Sequence, residues 1–214
     1  MTKKTRSSFL DTDIILKIGG FRGEKLLSKI LCSFGYKIYI HEYLFQEELL
    51  FGDVALEQLH EMIKANEITV IKVSDLTIDE LNEYNSAAQL LAYEMGVDLQ
   101  KKRDHNAGEV KSMAMAFSKE FEYFISDDGG ARVAAKKYLQ KLDGSYLQTI
   151  RMRDVILHIK GNEKDLDIDR KTAKRLYLYG TSPQLANNKA EEKKLNIIRE
   201  KLKSEFDEKL WPVE

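Results

Sequence analysis

YFISDDGGARVAAKKYL, residues 123–139, passes from an apolar β-type run through two acids and two glycines into a helical pattern. YFIS (123–126) reads as a short buried strand and ARVAAKKYL as a helix. Between them, Asp127 and Asp128 repel each other, and Gly129 and Gly130 let the backbone turn sharply. A turn of this kind faces a cleft, because open parallel sheets bind ligands beyond the carboxyl ends of their strands.

The same strand–acid–helix order opens the chain. FLDTDIIL (9–16) predicts a strand ending near Asp11 and a turn into a short helix. KIYI (37–40), ITVIKV (68–73) and GSYLQTI (144–150) read as further strands. Leu26, Leu27, Ile30, Leu31 and Phe34 recur at helical spacing within 22–34, and HEYLFQEELLFG (41–52) and residues 53–65 also read as helical. Thr77 and Glu80 form a capping-box pattern at the head of a helix that Gly96 can stop. Val110, Met113, Ala114, Phe117 and Phe121 line one stripe of a later helix. Strands alternating with helices predict an α/β sandwich on a largely parallel sheet. Residues 189–210 predict a charged helix whose narrow stripe (Leu195, Ile198, Leu202, Phe206, Leu210) must dock on the body, a partner or a second copy.

Composition bounds the rest. The 214 residues carry 34 Lys and Arg against 35 Asp and Glu, a net charge of −1, with 43% apolar residues. That excludes a disordered chain and a strongly basic nucleic-acid coat, but not a nucleic-acid enzyme, because a metal supplies local positive charge. No apolar run approaches the roughly 18 residues of a membrane span. The basic start MTKKTRSS leads into a strand pattern rather than a signal-peptide core, so no secretion is expected. A single cysteine, Cys32, excludes an internal disulfide and a cysteine-rich zinc cage, and fits a reducing, cytoplasmic setting. Cys32 lies on an apolar helix face and reads as inert core. Residues 1–150 hold 19 basic and 23 acidic side chains, residues 151–214 hold 15 and 12, a slightly acidic body and a mildly basic tail.

Acids stand where such a sheet builds its site: Asp11 and Asp13 after the first strand, Asp127 and Asp128 after YFIS. Glu47 and Glu48 interrupt an otherwise apolar helix, and Glu109 opens a helix after Gly108. A carboxylate in a first turn is also favoured by the helix dipole alone, by ~0.3–1 kcal/mol. Gathered together, these carboxylates would repel one another unless a hard dication such as Mg²⁺ or Mn²⁺ joined them. Such ions activate water and stabilise charge at phosphorus, so the pattern points to metal-dependent phosphodiester cleavage.

These stretches resemble the motifs of the PIN-domain nuclease family. FLDTDIIL is similar to its opening strand, with Asp11 at the metal-ligand position. IHEYLFQEEL resembles the second motif, aligning Glu47 with Glu48 one step away. NAGEVKSMAMA resembles the third, giving Glu109, and FISDDGGARVAAKK the fourth, giving Ser126, Asp127 and Asp128, with Arg132 and Ala135 trailing. The resemblance spans about residues 7–150, and the chain is also similar to a toxin-type subset with a Gly-Glu third and an Asp-Asp fourth motif. It departs at Asp13, where many relatives have Ser or Asn, at Glu109, where many have Asp, and in the long tail.

The resemblance implies a three-layer α/β/α sandwich over residues 1–150 and a mainly helical extension over 151–214. It implies a Mg²⁺- or Mn²⁺-dependent endoribonuclease, often the toxin of a toxin–antitoxin module and often a homodimer. Catalysis would use Asp11, Glu47, Glu109, Asp127 and Asp128. Asp11, Glu109 and Asp127 or Asp128 would hold metal, and Glu47 would complete the ring or bind metal through water.

Several residues carry two readings. Asp13 reads as the cap of a helix over 14–18, with metal ligation as the alternative. Ser126 is either a support for a ligand carboxylate or a strand-end hydroxyl. Arg132 contacts phosphate, pairs with a site acid, or is solvated. Lys101, Lys102 and Arg103, with His105 just beyond, are an RNA-binding run or ordinary surface. Arg170, Lys171, Lys174 and Arg175 either bind RNA electrostatically or form a solvated helix face. Met113 and Met115 read as packing residues. Two other functions compete: a non-catalytic module binding partners through its tail, and a DNA-directed nuclease of the same chemistry.

Overall fold

The computed structural model of the chain describes residues 6–21, 24–45, 53–101, 106–139, 147–181, 196 and 199–212. Five short strands, β1 (Ser7–Leu10), β2 (Lys37–His41), β3 (Ile68–Ile71), β4 (Tyr123–Ile125) and β5 (Gln148–Ile150), form one sheet in the order β3-β2-β1-β4-β5. Every pairing is parallel. The order reverses direction between β1 and β4, which is where doubly wound sheets open a crevice at their carboxyl edge.

Both faces of the sheet are covered, so its strands are apolar on both sides. On one face Leu10, Ile38, Ile40, Ile125 and Ile150 pack under α1 (Thr12–Gly19), α2 (Leu26–Ser33) and α3 (Asp53–Lys64). On the other, Phe9, Ile71 and Phe124 pack under α4 (Ile78–Met95), α5 (Ala107–Ser118) and α6 (Gly129–Ala134), whose last turns widen into a π-helix over Ala135–Leu139. This is the three-layer α/β/α sandwich.

The local signals act as elementary chemistry requires. Thr77 accepts from the Glu80 N–H at 3.3 Å while the Glu80 carboxylate accepts from the Thr77 N–H at 2.8 Å, the reciprocal cap of α4. Gly96 ends that helix at φ +67°, in the left-handed region. Met113 and Met115 are fully buried packing residues. Cys32 departs from expectation: it is exposed, its Sγ 3.8 Å from Ser28 Oγ. The apolar stripe of α2 is carried by Leu26, Leu27, Ile30 and Leu31, and Cys32 falls just off it.

Beyond β5 the chain continues the first helical layer. Met152, Val155, Ile156 and Ile159 on α7 (Met152–Gly161) join the same core cluster as the buried residues of α1 and α2. So do Leu166 of the one-turn α8 (Glu163–Leu166), and Ala173, Leu176 and Tyr177 of α9 (Arg170–Thr181). A C-terminal π-helix (Leu202–Leu210) adds Phe206 and Leu210, followed by Trp211. The remainder of the expected helix over 189–210 lies outside the described residues, apart from helical positions 196 and 199–201. Among the described residues no helix is long and apolar enough to cross a membrane.

Candidate active site at the carboxyl edge of the sheet

The parallel register decides how the acids meet. Leu10 pairs with Ile125, and the ladder runs one residue further, with the Asp11 N–H donating to the Ile125 carbonyl at 3.0 Å and the Ser126 N–H to the Ile150 carbonyl at 3.0 Å. Asp11 and Ser126 therefore stand side by side. Ser126 Oγ, fully buried, donates to Asp11 Oδ2 at 2.7 Å and accepts from the Asp128 N–H at 3.1 Å. Asp11 Oδ1 accepts from the Thr12 N–H at 2.8 Å, making Asp11 the cap of α1. The expectation placed Asp13 at that cap; the helix starts two residues earlier, because an Asp at the end of a strand already supplies the acceptor.

Asp13 instead sits in the first turn of α1 and joins a charged cluster on the other side of the strand ends. Lys17 Nζ lies 2.9 Å from Asp13 Oδ2 and 3.1 Å from Asp127 Oδ2. Asp127 Oδ1 accepts from the Met152 N–H at 3.3 Å and faces Arg151 Nε at 3.6 Å. Side chains alternate sides along extended backbone, so Ser126 and Asp127 diverge. Burial raises the Asp13 pKa, an effect the adjacent Lys17 only partly offsets. Burial pulls the Lys17 pKa down, but Asp13 and Asp127 together outweigh it and hold the ammonium above its ordinary range. Asp127 is thus compensated by two cations and a helix-start N–H.

Glu109 is half-buried in the first turn of α5, which crosses β1, β2 and β4. Its helix start lies at the carboxyl edge, because Lys111 Nζ sits 3.6 Å from the ring centroid of Tyr43, just past β2. Asp128 is half-buried beyond Ser126, and a Cβ built on Gly130 would come within 2.9 Å of its Oδ1. Asp11, Glu109 and Asp128 therefore belong to the side of the edge covered by α4, α5 and α6, and Asp127 to the side of α1 and α7. The three offer carboxylate oxygens only, which suits a hard dication. Among the described residues no group of three or more His, Cys, Asp or Glu side chains comes close enough together to hold a metal ion.

The other candidates fall as follows. Glu47, Glu48, Lys102, Arg103 and His105 lie outside the described residues, as does the Arg132 side chain, although its backbone belongs to α6. Lys101 is exposed on a turn closed by its N–H to the Asp98 carbonyl. Arg170 and Lys174 both pair with Asp207 of the C-terminal helix. Arg175 lies 5.3 Å from the Phe21 ring, and Lys171 is exposed.

Two features escaped sequence reasoning. Lys17 is four residues from Asp13 on one helix, a spacing that signals an ion pair. His41, at the end of β2, is 2% exposed, with Nδ1 accepting from the Tyr43 N–H at 3.0 Å; a lone histidine closing an apolar strand carries no local signal for that. No known protein-family model matches this chain, and no curated protein matches it either.

Proposed function

We propose that this protein is a metal-dependent nuclease of PIN type, an endoribonuclease in the first instance, acting through Asp11, Glu109 and Asp128. The observation that carries the reading is the Asp11–Ser126–Asp128 chain at the strand-order switch. One buried hydroxyl ties the Asp11 carboxylate to the backbone N–H of Asp128, joining distant parts of the sequence at the edge where such sheets work. Mg²⁺ or Mn²⁺ held by these carboxylates would supply an activated water and offset charge at phosphorus.

The chain's own residues do the positioning. Ser126 and the Thr12 N–H each take one oxygen of Asp11 and fix its plane. Lys17 and Arg151 draw Asp127 away, which lessens repulsion among the acids that remain. Glu47, outside the described residues, would complete the ligand ring. A cytoplasmic setting, an antitoxin partner and a homodimer belong to the same reading.

The experiment is cleavage of single-stranded RNA and, separately, single-stranded DNA, with and without Mg²⁺ or Mn²⁺. The unsubstituted chain should cut RNA only with metal. Asp11→Asn and Glu109→Gln should fall to background, and Ser126→Ala should lose about 10–100-fold. Metal at a hundredfold excess over its Kd should also stabilise the native chain by ~2.7 kcal/mol. Full activity in both acid variants would end the assignment.

A further inference from the structure

A cavity of about 460 Å³ opens directly beside the Asp128 turn, its wall shared through Gly130. That volume lies within the ~300–1,000 Å³ of small-molecule sites. Met95, Val133 and Tyr138 give it apolar and aromatic walls, and Glu94 and Asn106 are the polar residues that line it. Val133 is 51% exposed, an apolar surface left open to the cavity. Tyr138 is half-buried, with Lys137 Nζ 4.9 Å from its ring centroid.

We propose that this cavity is a nucleobase subsite selective for guanine, placing a guanine nucleotide of the substrate against Asp128. The proposal rests on the nuclease reading above and adds a specificity to it. Aromatic and thioether walls suit a flat π-system, on which stacking is sequence-tolerant. Selectivity comes from Glu94. An ionised carboxylate only accepts hydrogen bonds, and accepts two in parallel. Guanine alone among the four RNA bases presents two adjacent donors, N1–H and the N2 amino group, on its pairing edge. Adenine and cytosine place a bare ring nitrogen there, and uracil flanks its single N–H with carbonyl oxygens, which a carboxylate repels. Glu94 is exposed and hydrated when unpaired, so the preference comes from the two charge-assisted bonds that guanine offers and from the repulsion of acceptors on the other bases.

The test follows the Met95 methyl group, which lines the cavity, by NMR on the full-length protein carrying ¹³C-methyl methionine. Guanosine 5′-monophosphate should move this signal saturably, at concentrations at least roughly tenfold lower than the adenosine, cytidine or uridine monophosphates. Glu94→Gln should erase that preference and Tyr138→Ala should weaken all four. Guanosine without its phosphate should retain the preference. An unmoved Met95 signal at ~10 mM of every nucleotide, or an equal response to all four, would overturn the proposal. So would free arginine, whose guanidinium carries a similar donor pair, acting as strongly as the guanine nucleotide. Because binding is read without metal or cleavage, the two readings separate: guanine-selective shifts with Asp11→Asn still cutting RNA would keep this subsite and remove the proposed catalytic acids.

Discussion

His41 is held neutral by its surroundings. Nδ1 accepts from the Tyr43 N–H, so the ring proton sits on Nε2, 3.4 Å from Tyr84 Oη. Burial, reinforced by the charge of Lys111, lowers its pKa from 6.5 to about 4. Between those values the unfolded chain takes up a proton that the native one refuses. The stability involved is therefore intact above pH ~6.5, declines as pH falls toward ~4 and is level below, by on the order of 3 kcal/mol in all. Urea unfolding at pH 7.5 and pH 4.5 should show the unsubstituted chain losing ~2–3 kcal/mol more than His41→Asn; equal losses would refute this account. Individual residues were legible where their signal was local. Thr77 and Glu80 announce their cap by spacing, and Asp11 and Ser126 stand out as polar groups ending apolar strands. Alternation along the strand end separates Asp127 from its neighbours, but the partners that claim it were hidden, because Lys17 and Arg151 come from other elements.

Among the elements, α9 and the C-terminal helix separate packing from charge. Phe206 is fully buried, its ring centroid 5.8 Å from that of Tyr177 and 6.2 Å from that of Trp211. The next residue, Asp207, receives both Arg170 and Lys174, on side chains about a quarter to a third exposed. Solvent at that exposure screens the ion pairs to roughly 1 kcal/mol or less. Truncating a buried phenylalanine removes transfer free energy and leaves a cavity, costing about 3–5 kcal/mol. Phe206→Ala should therefore lower the unfolding free energy several-fold more than Asp207→Ala, measured by denaturant titration; a comparable loss for both would mean that the charges clamp this helix. The stripe through Leu202, Phe206 and Leu210 was readable from spacing. Its dock was not, since the basic run at 170–175 reads as solvated or RNA-facing until Asp207 is brought beside it. Strand and helix alternation likewise revealed the class of sheet but not the order β3-β2-β1-β4-β5, which only long-range pairing decides.

At the scale of the molecule, the sheet has two helical layers and the second half of one of them comes from beyond residue 150. Among the described residues, twelve core side chains from Met152 to Trp211 lie in the same apolar cluster as Leu10, Ile14 and Ile15. Each such burial is worth roughly 1.5–3 kcal/mol for a large side chain, while the net stability of a domain is only about 5–15 kcal/mol. Residues 1–150 alone would strip those side chains from the cluster that also holds Leu10, Ile125 and Ile150, and would lose the Met152 N–H and Arg151 that hold Asp127. Lys17 would then be left with two carboxylates and altered surroundings at the edge of the candidate site. A chain ending at residue 150 should show no cooperative thermal transition and a collapsed amide spectrum, whereas one ending at 181 should keep part of the layer and melt below the full chain. A cooperative melt for 1–150 matching that of the full chain would show that the layer beyond β5 is dispensable, and that the edge bearing Asp11 and Ser126 is stable without it.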